Sequence, residues 1–240
     1  FYLDAAKHIA YNDNVILNKS CKMEGFHMLL EFRFQNYKSF REETSFSMMA
    51  APKQKGLDYS LFNIKKQGKD IKGLCSSVIY GSNAAGKTTV VGAMDTFRSI
   101  VLRGNIRNSE DISSPNHAAS NLSLVPNQML TKPEPVEFFI DFVVDKFRIQ
   151  YGVVMDLGLF LDDKYERKIL SEVLTVNGNM IFERKHLGSK SVSLKVEPCK
   201  DVATLFSKTA KADNASAVMI AMEGLDGEEL FLTGGFKLIY

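Results

Sequence analysis

The chain has 240 residues, 45% of them hydrophobic and 24% charged, a balance that excludes a chain too polar to bury a core. Its 30 basic residues against 28 acidic ones leave a net charge of +2, too even to demand a nucleic-acid or membrane partner. Cys21, Cys75 and Cys199 are too few and too widely spaced for a disulfide framework or a zinc knuckle, and no apolar run reaches the roughly 18 residues of a membrane span, so a soluble cytoplasmic protein is expected.

The chain starts at Phe1, and Met28, which opens a strongly patterned segment, reads as an initiator. Residues 1–27 are then an N-terminal extension of uncertain origin: upstream read-through, a cloning remnant or a genuine extension. Ala5 to Tyr11 could form a short helix, ended by Asn12, Asp13 and Asn14. From Met28, Leu30, Phe32 and Phe34 alternate with Glu31, Arg33 and Gln35, the period of a half-buried strand. A turn at Asn36 to Ser39 leads to a second alternating run, Thr44 to Met49, expected to pair with the first in antiparallel sense. Residues 52–72, rich in Lys, Gly and Asp, read as a surface excursion around a short Leu61 to Ile64 segment.

Ser76 to Tyr80 is apolar and bounded by Gly73 and Gly81, the pattern of a buried central strand. Val90, Met94, Phe97 and Val101 recur at helical spacing, which predicts a helix from Lys87 to Leu102 stopping at Gly104. Residues 105–135 are polar and carry Pro115, Pro126, Pro133 and Pro135, and read as a mobile connection. Val136 to Val144, Phe147 to Met155, Glu172 to Val176 and Met180 to Arg184 are predicted strands, with turns at Asp145-Lys146 and Asn177-Gly178. Residues 185–240 combine a Lys-rich strand, a Val202 to Ala212 helix and a glycine-rich tail, without a domain assignment. No internal repeat is visible.

Between the apolar run and the helix lies Gly81-Ser82-Asn83-Ala84-Ala85-Gly86-Lys87-Thr88, which matches the phosphate-binding loop pattern of two glycines, a lysine and a hydroxyl at fixed spacing. Such a loop must turn its backbone N–H groups inward around phosphates, and glycine at both ends permits the dihedrals this requires. Lys87 would meet β- and γ-phosphate oxygens, Thr88 would offer its hydroxyl to Mg²⁺, and Thr89 would contact the α-phosphate, all at a helix N-terminus whose dipole favours the anion. A guanine-reading Asn-Lys-x-Asp element is absent downstream, and Asn18-Lys19 is upstream and followed by Ser20-Cys21, so ATP is the expected nucleotide. The glycine-rich dinucleotide fingerprint and the Gly-x-Ser-x-Gly nucleophile elbow are absent, and His8, His27, His117 and His186 lack metal-ligand spacing.

Met28 to Ala50, with its Asn36-Tyr37-Lys38-Ser39-Phe40 core and Phe46-Ser47-Met48 run, resembles the start of ABC/SMC-like ATPase heads. Nearest in appearance are prokaryotic AAA-family ATPases of the RecF/OLD-like type from abortive-infection and phage-defence loci. Val136 through Tyr151-Gly152, Glu172-Val173-Leu174 and Ile181 to Arg184 is similar to their β-rich arm, so the likeness spans Met28 to Arg184. The resemblance implies an α/β P-loop NTPase with a mixed sheet and an antiparallel β arm. It divides the chain into a nucleotide-binding lobe (28–104), a connection (105–135), an arm (136–184) and an unassigned part (185–240). It also implies that Lys38 and Ser39 approach the phosphates, although a plain polar hairpin turn with Phe40 packed beneath explains Asn36 to Phe40 equally well.

Hydrolysis in this class needs an apolar strand ending in Asp-Glu. Leu159-Phe160-Leu161-Asp162-Asp163 is the nearest candidate, with a solvated turn as its alternative and Asp where Glu is expected. Phe138-Phe139-Ile140-Asp141 is a weaker one, because strand continues past it. Leu232-Thr233-Gly234-Gly235 is a faint echo of an ABC signature. The expected function is ATP binding within an ATPase that sandwiches nucleotide in a homodimer and serves phage defence or a DNA transaction, with nucleic acid or an effector protein as partner. The alternatives are a nucleotide-gated module without turnover and a RecF-type repair head. The head is expected to continue beyond residue 240 to its catalytic acid.

Overall fold

A computed structural model of the chain describes residues 27–51, 56, 58–66, 69–107, 124–145, 147–160, 162, 165–187, 191–196 and 226–233. Nine strands and one α-helix are placed among these residues. Seven strands make one sheet in the order β2-β1-β5-β6-β7-β8-β9: β1 (His27–Gln35), β2 (Thr44–Ser47), β5 (Val136–Val144), β6 (Phe147–Asp156), β7 (Lys168–Val176), β8 (Asn179–Leu187) and β9 (Ser191–Val196). The other two, β3 (Leu61–Lys66) and β4 (Lys69–Leu74), pair with each other.

β1 and β6 bury alternate residues because successive side chains point to opposite faces. On β1, Met28, Leu30, Phe32 and Phe34 are buried; on β6, Phe147, Ile149, Tyr151, Val153 and Met155 are. The long strands reverse at positions whose chemistry suits a tight hairpin. Asn177 (φ 56°) and Gly178 (φ 83°) both take the left-handed conformation that a two-residue turn between twisted strands requires, and Asp145 (φ 53°) does the same after β5.

The helix α1 (Lys87–Arg103) lies on the inner face of this sheet and buries Ala93, Thr96, Phe97 and Ile100. The Phe97 ring centre lies 5.8 Å from that of Phe32, 5.6 Å from Phe138 and 5.8 Å from Tyr151, so an aromatic cluster fixes the helix to β1, β5 and β6. The helix ends at Gly104 in the left-handed conformation (φ 78°), with the Gly104 N–H donating to the Ile100 carbonyl at 2.9 Å.

Residues 226–233 dock across the C-terminal end of α1 and onto β7 and β8. Leu230 N–H donates to the Gly104 carbonyl at 2.8 Å, and Ile106 N–H to the Glu228 carbonyl at 3.0 Å. On the other side the fully buried Glu172 carboxylate accepts from the backbone N–H groups of Phe231 (2.7 Å) and Leu232 (2.8 Å) and from the Tyr151 hydroxyl (2.9 Å). Arg184 lies 3.8 Å from Glu172 and donates to the carbonyls of Glu229 and Asp226. Burial pushes the Glu172 carboxyl up, against the pull of the two backbone donors, Arg184 and Tyr151. Burial likewise lowers the Arg184 guanidinium, against the pull of Glu172.

Four sequence expectations need correction. The sheet is antiparallel in every described pairing, not mixed. The strands read as an arm also continue directly from β1 through β5, so opening segment and arm share one sheet. Ser76 to Tyr80 forms no strand, and Val78 and Tyr80 are 80% and 90% exposed; a strand needs a neighbour to take its backbone hydrogen bonds, and none of the described strands pairs with this run. The excursion at 52–72 contains the β3–β4 hairpin, which joins the end of β2 through Leu74 N–H to the Met48 carbonyl (2.7 Å) and Ala50 N–H to the Lys72 carbonyl (3.0 Å).

In the connection at 105–135, Ile106 and Leu124 are fully buried, while 108–123 lie outside the described residues, as does the expected Val202 to Ala212 helix. Among the described residues no helix is long and apolar enough to cross a membrane.

Candidate functional site

The glycine-rich loop runs from Gly81 to Gly86 and delivers the chain into α1. Ala84 (φ 63°) and Gly86 (φ 86°) are both left-handed, which curls the loop back on itself; Ala85 N–H donates to the Ser82 carbonyl at 3.3 Å. No side chain caps α1 and no acid stands in its first turn, so the N-terminal N–H groups and the dipole are left for an anion. Lys87 bends back over the loop and donates from Nζ to the carbonyls of Gly81 (2.8 Å) and Ser82 (2.7 Å). Ser82, Asn83, Ala84, Ala85 and Thr88 are exposed, and Thr89 is half-buried with its N–H on the Gly86 carbonyl at 2.9 Å.

The opening turn sits against this loop. A Cβ on Gly86 would come within 2.7 Å of the Phe40 ring, so glycine is required there both by its φ and by the aromatic side chain above it. The turn is held from three sides. Beneath it, the buried Tyr37 hydroxyl bonds Thr96 on α1 at 2.9 Å, and its ring packs edge-on against Phe34 and Phe138. To one side, Asn36 (φ 56°) donates from Nδ2 to the carbonyls of Glu134 (2.7 Å) and Pro135 (3.1 Å). Along the other, Lys38 N–H (φ 51°) donates to the Val125 carbonyl at 3.2 Å and Asn127 N–H to the Asn36 carbonyl at 3.0 Å. Phe40 does pack beneath the turn, and Lys38 and Ser39 nonetheless line one cavity of about 470 Å³ together with Thr89.

That cavity has walls that the motif did not reveal: Val125, Asn127, Gln128 and Met129 from the end of the connection, and Phe160 from the loop after β6. No local signal marks them, because they reach the site through contacts with segments distant in sequence. Phe160 is positioned by Asp156, whose carboxylate accepts from Gly158 N–H (3.2 Å) and the Tyr165 hydroxyl (2.8 Å), while the Tyr165 ring fills the space where a Gly158 side chain would stand.

Asp162 is exposed in a turn, its N–H on the Leu159 carbonyl at 3.2 Å and its own carbonyl accepting from Tyr165 N–H at 3.2 Å, and Gly158 to Phe160 is not strand. Asp163 lies outside the described residues. Asp141 is buried within β5, where the strand continues to Val144; Arg148 grips both its oxygens, at 3.0 Å and 3.1 Å from Nε, and Gln150 donates at 3.0 Å. Leu232 donates its backbone N–H to Glu172, and Gly234-Gly235 lie outside the described residues.

Among the described residues no group of three His, Cys, Asp or Glu could hold a metal ion. A Mg²⁺ ion that keeps its waters and takes phosphate oxygens needs no such cluster, and the Thr88 hydroxyl is exposed at the loop.

No curated protein and no solved structure matches the chain. A family model described as "AAA domain, putative AbiEii toxin, Type IV TA system" matches residues 76–206, more than half of the sequence, starting at the apolar run before the phosphate loop and spanning α1 and strands β5 to β9. The chain is a member of this AAA-domain family, a P-loop ATPase class.

Proposed function

We propose that the chain is the ATP-binding part of an ABC/SMC-like, RecF/OLD-like ATPase that couples nucleotide binding and hydrolysis to phage defence or a DNA transaction. The observation that carries the reading is the glycine loop at the uncapped N-terminus of α1, with Lys87 and Thr88 at its rim. Nucleotide phosphates would take backbone N–H groups of the loop and of the first residues of α1. Lys87 would exchange two neutral carbonyl partners for anionic phosphate oxygens that pair with its charge. Thr88 would supply a hydroxyl to Mg²⁺, which neutralises charge between β- and γ-phosphate when bound. Lys38, lining the cavity beside Thr89, adds a second cation from the opening turn.

The family description, which names a toxin of a toxin–antitoxin system, favours defence over repair. In this reading a pair of heads would sandwich the nucleotide. A second reading, a nucleotide-gated module without turnover, is favoured by the cavity beside the loop, whose lining among the described residues holds Lys38 and amides and no carboxylate.

Calorimetric titration of Mg-ATP into the wild-type chain and Lys87→Ala tests the loop. Binding by the wild type and its loss in the variant is expected; equal binding by both would overturn the assignment. Phosphate release by the wild type separates the ATPase from the gated module.

A further inference from the structure

We propose that the face of the sheet turned away from α1 carries a docking pocket over Gly152, which takes one large apolar side chain of a polypeptide partner with a basic residue beside it. The pocket shares no residue with the phosphate loop or the cavity next to it and does not depend on their ligand.

β6 is the fourth of the seven strands and sends Tyr151 and Val153 into the core, so Gly152 between them opens onto the opposite face. There it sits in a cross-strand row, Arg33, Phe139, Gly152 and Val173. A glycine inside a strand weakens it. It stands there for a bulge or bend, for a special backbone conformation, or because something approaches the backbone closely. The first two reasons are excluded, since β6 pairs with β5 and β7 in unbroken register from Ile149 to Val154 and Gly152 is not left-handed. Nor do its neighbours forbid a side chain. A Cβ at 152 would meet the Phe139 ring at 3.5 Å and the Phe138 carbonyl at 3.9 Å, both ordinary contacts. The close approach of another molecule remains.

The missing side chain leaves a depression of about 250 Å³, below the roughly 300–1,000 Å³ of small-molecule sites and suited to a single bulky side chain. Its walls are the half-buried Phe139, Val154 and Val173. They are held in place. The Arg33 guanidinium lies 4.1 Å from the Phe139 ring centre, and Gln150 at one end of the depression donates to Asp141 at 3.0 Å. A rigid apolar pocket inside a polar rim is the anatomy of an interface hot spot. The rim also selects by charge. Arg33 is already paired with Glu43 at 3.4 Å and Glu31 at 3.8 Å, whereas Glu137 is exposed and makes no ion pair among the described residues. That carboxylate attracts a lysine or arginine of the partner and repels a polyanion such as nucleic acid.

Gly152→Ala tests the elimination: thermal unfolding should give a Tm at or above that of the wild type, and a lower Tm would show that the fold itself demands glycine and overturn the pocket. Gly152→Leu fills the depression and Glu137→Lys reverses the rim charge, with circular dichroism to verify the fold; Glu137→Lys, at an exposed site, carries the test where Gly152→Leu does not fold. Random peptides displayed on phage are selected against the full wild-type chain, and the enriched sequences are titrated as free peptides by fluorescence anisotropy. They should carry Phe, Trp, Leu or Met next to Lys or Arg, lose about tenfold or more in affinity on Gly152→Leu, and show a smaller, salt-dependent loss on Glu137→Lys. No enrichment, enrichment of acidic sequences, or affinity unchanged in both variants overturns the pocket. Self-association of the wild type in sedimentation that Gly152→Leu abolishes would give the pocket to a second copy of the chain and overturn the separate partner.

Discussion

Replacing Glu172 by alanine tests whether residues 226–233 are held by charge or by packing alone. The carboxylate is fully buried and satisfies two backbone N–H groups, at 2.7 Å and 2.8 Å, and the Tyr151 hydroxyl at 2.9 Å. Alanine strands these donors and leaves the Arg184 guanidinium, whose side chain is 2% exposed, without the buried counter-charge of Glu172. Breaking a buried pair from one side costs about 3–5 kcal/mol, and an orphaned buried donor about 1–3 kcal/mol, terms that overlap rather than add. We expect about 4 kcal/mol, a large share of the roughly 5–15 kcal/mol that holds a domain folded. Urea unfolding gives the value from the midpoint, and hydrogen exchange at Phe231 and Leu232 should accelerate first. Replacing both partners, Glu172→Leu with Arg184→Met, should recover most of the loss, since a buried pair contributes little over apolar groups of like size. A single variant within about 1 kcal/mol of wild type, or a double variant no better than the single, would refute the charge argument.

The same group fixes a pH dependence. Burial raises the Glu172 carboxyl above its ordinary 4.5, so the native state holds its proton more tightly than the unfolded chain. The component of stability linked to this proton is therefore fully present below 4.5 and is lost as pH climbs through the raised native value. Glu172→Gln should remove that component from the stability–pH curve.

Gly86→Ala places a side chain at φ 86° and within 2.7 Å of the Phe40 ring, so it should cost about 1–3 kcal/mol and abolish ATP binding, with Phe40→Ala restoring part of the stability. Arg148→Met leaves the Asp141 carboxylate, 2% exposed, with Gln150 as its remaining side-chain donor; Arg148 is itself one-third exposed, so about 2 kcal/mol is expected in urea unfolding rather than the full value of a buried pair. Tyr165 is pushed up to about 12, chiefly by its hydrogen bond to Asp156; that contribution is present below pH 10 and disappears as pH rises to about 12. Spectroscopic titration should show a late-ionising phenol that is absent in Tyr165→Phe.

What could be read from the sequence was local. The ends of β5 and α1 fall at or next to the residues expected, because alternation, helical spacing and a glycine stop are properties of neighbours along the chain. The hairpin at Asn177-Gly178 follows from those two residues alone. Glu172 and Arg184 carried no such signal. In the sequence they are a charge on one strand and a charge on the next, and only docking of the chain some 59 and 60 residues further on makes them a buried clasp. The cavity walls at 125–129 and at Phe160 were silent for the same reason.

Ser76 to Tyr80 shows where the local reading fails in the opposite direction. Its apolar composition and its place before the phosphate loop are strand signals, yet Val78 and Tyr80 are exposed and the backbone pairs with no described strand. Apolarity records what a segment must bury against; it does not supply the neighbour. The loop that follows shows the same dependence on a partner. Gly86 fits only with Phe40 above it, and Lys87 lies on the carbonyls of Gly81 and Ser82. Phe40 in turn packs edge-on against Phe34 of β1 at 5.2 Å, and Tyr37 ties the same turn to Thr96 of α1. Any ligand that draws Lys87 off those carbonyls therefore acts on a loop coupled by direct contact to both the sheet and the helix, and this coupling, more than the motif itself, sets the shape that phosphates would meet.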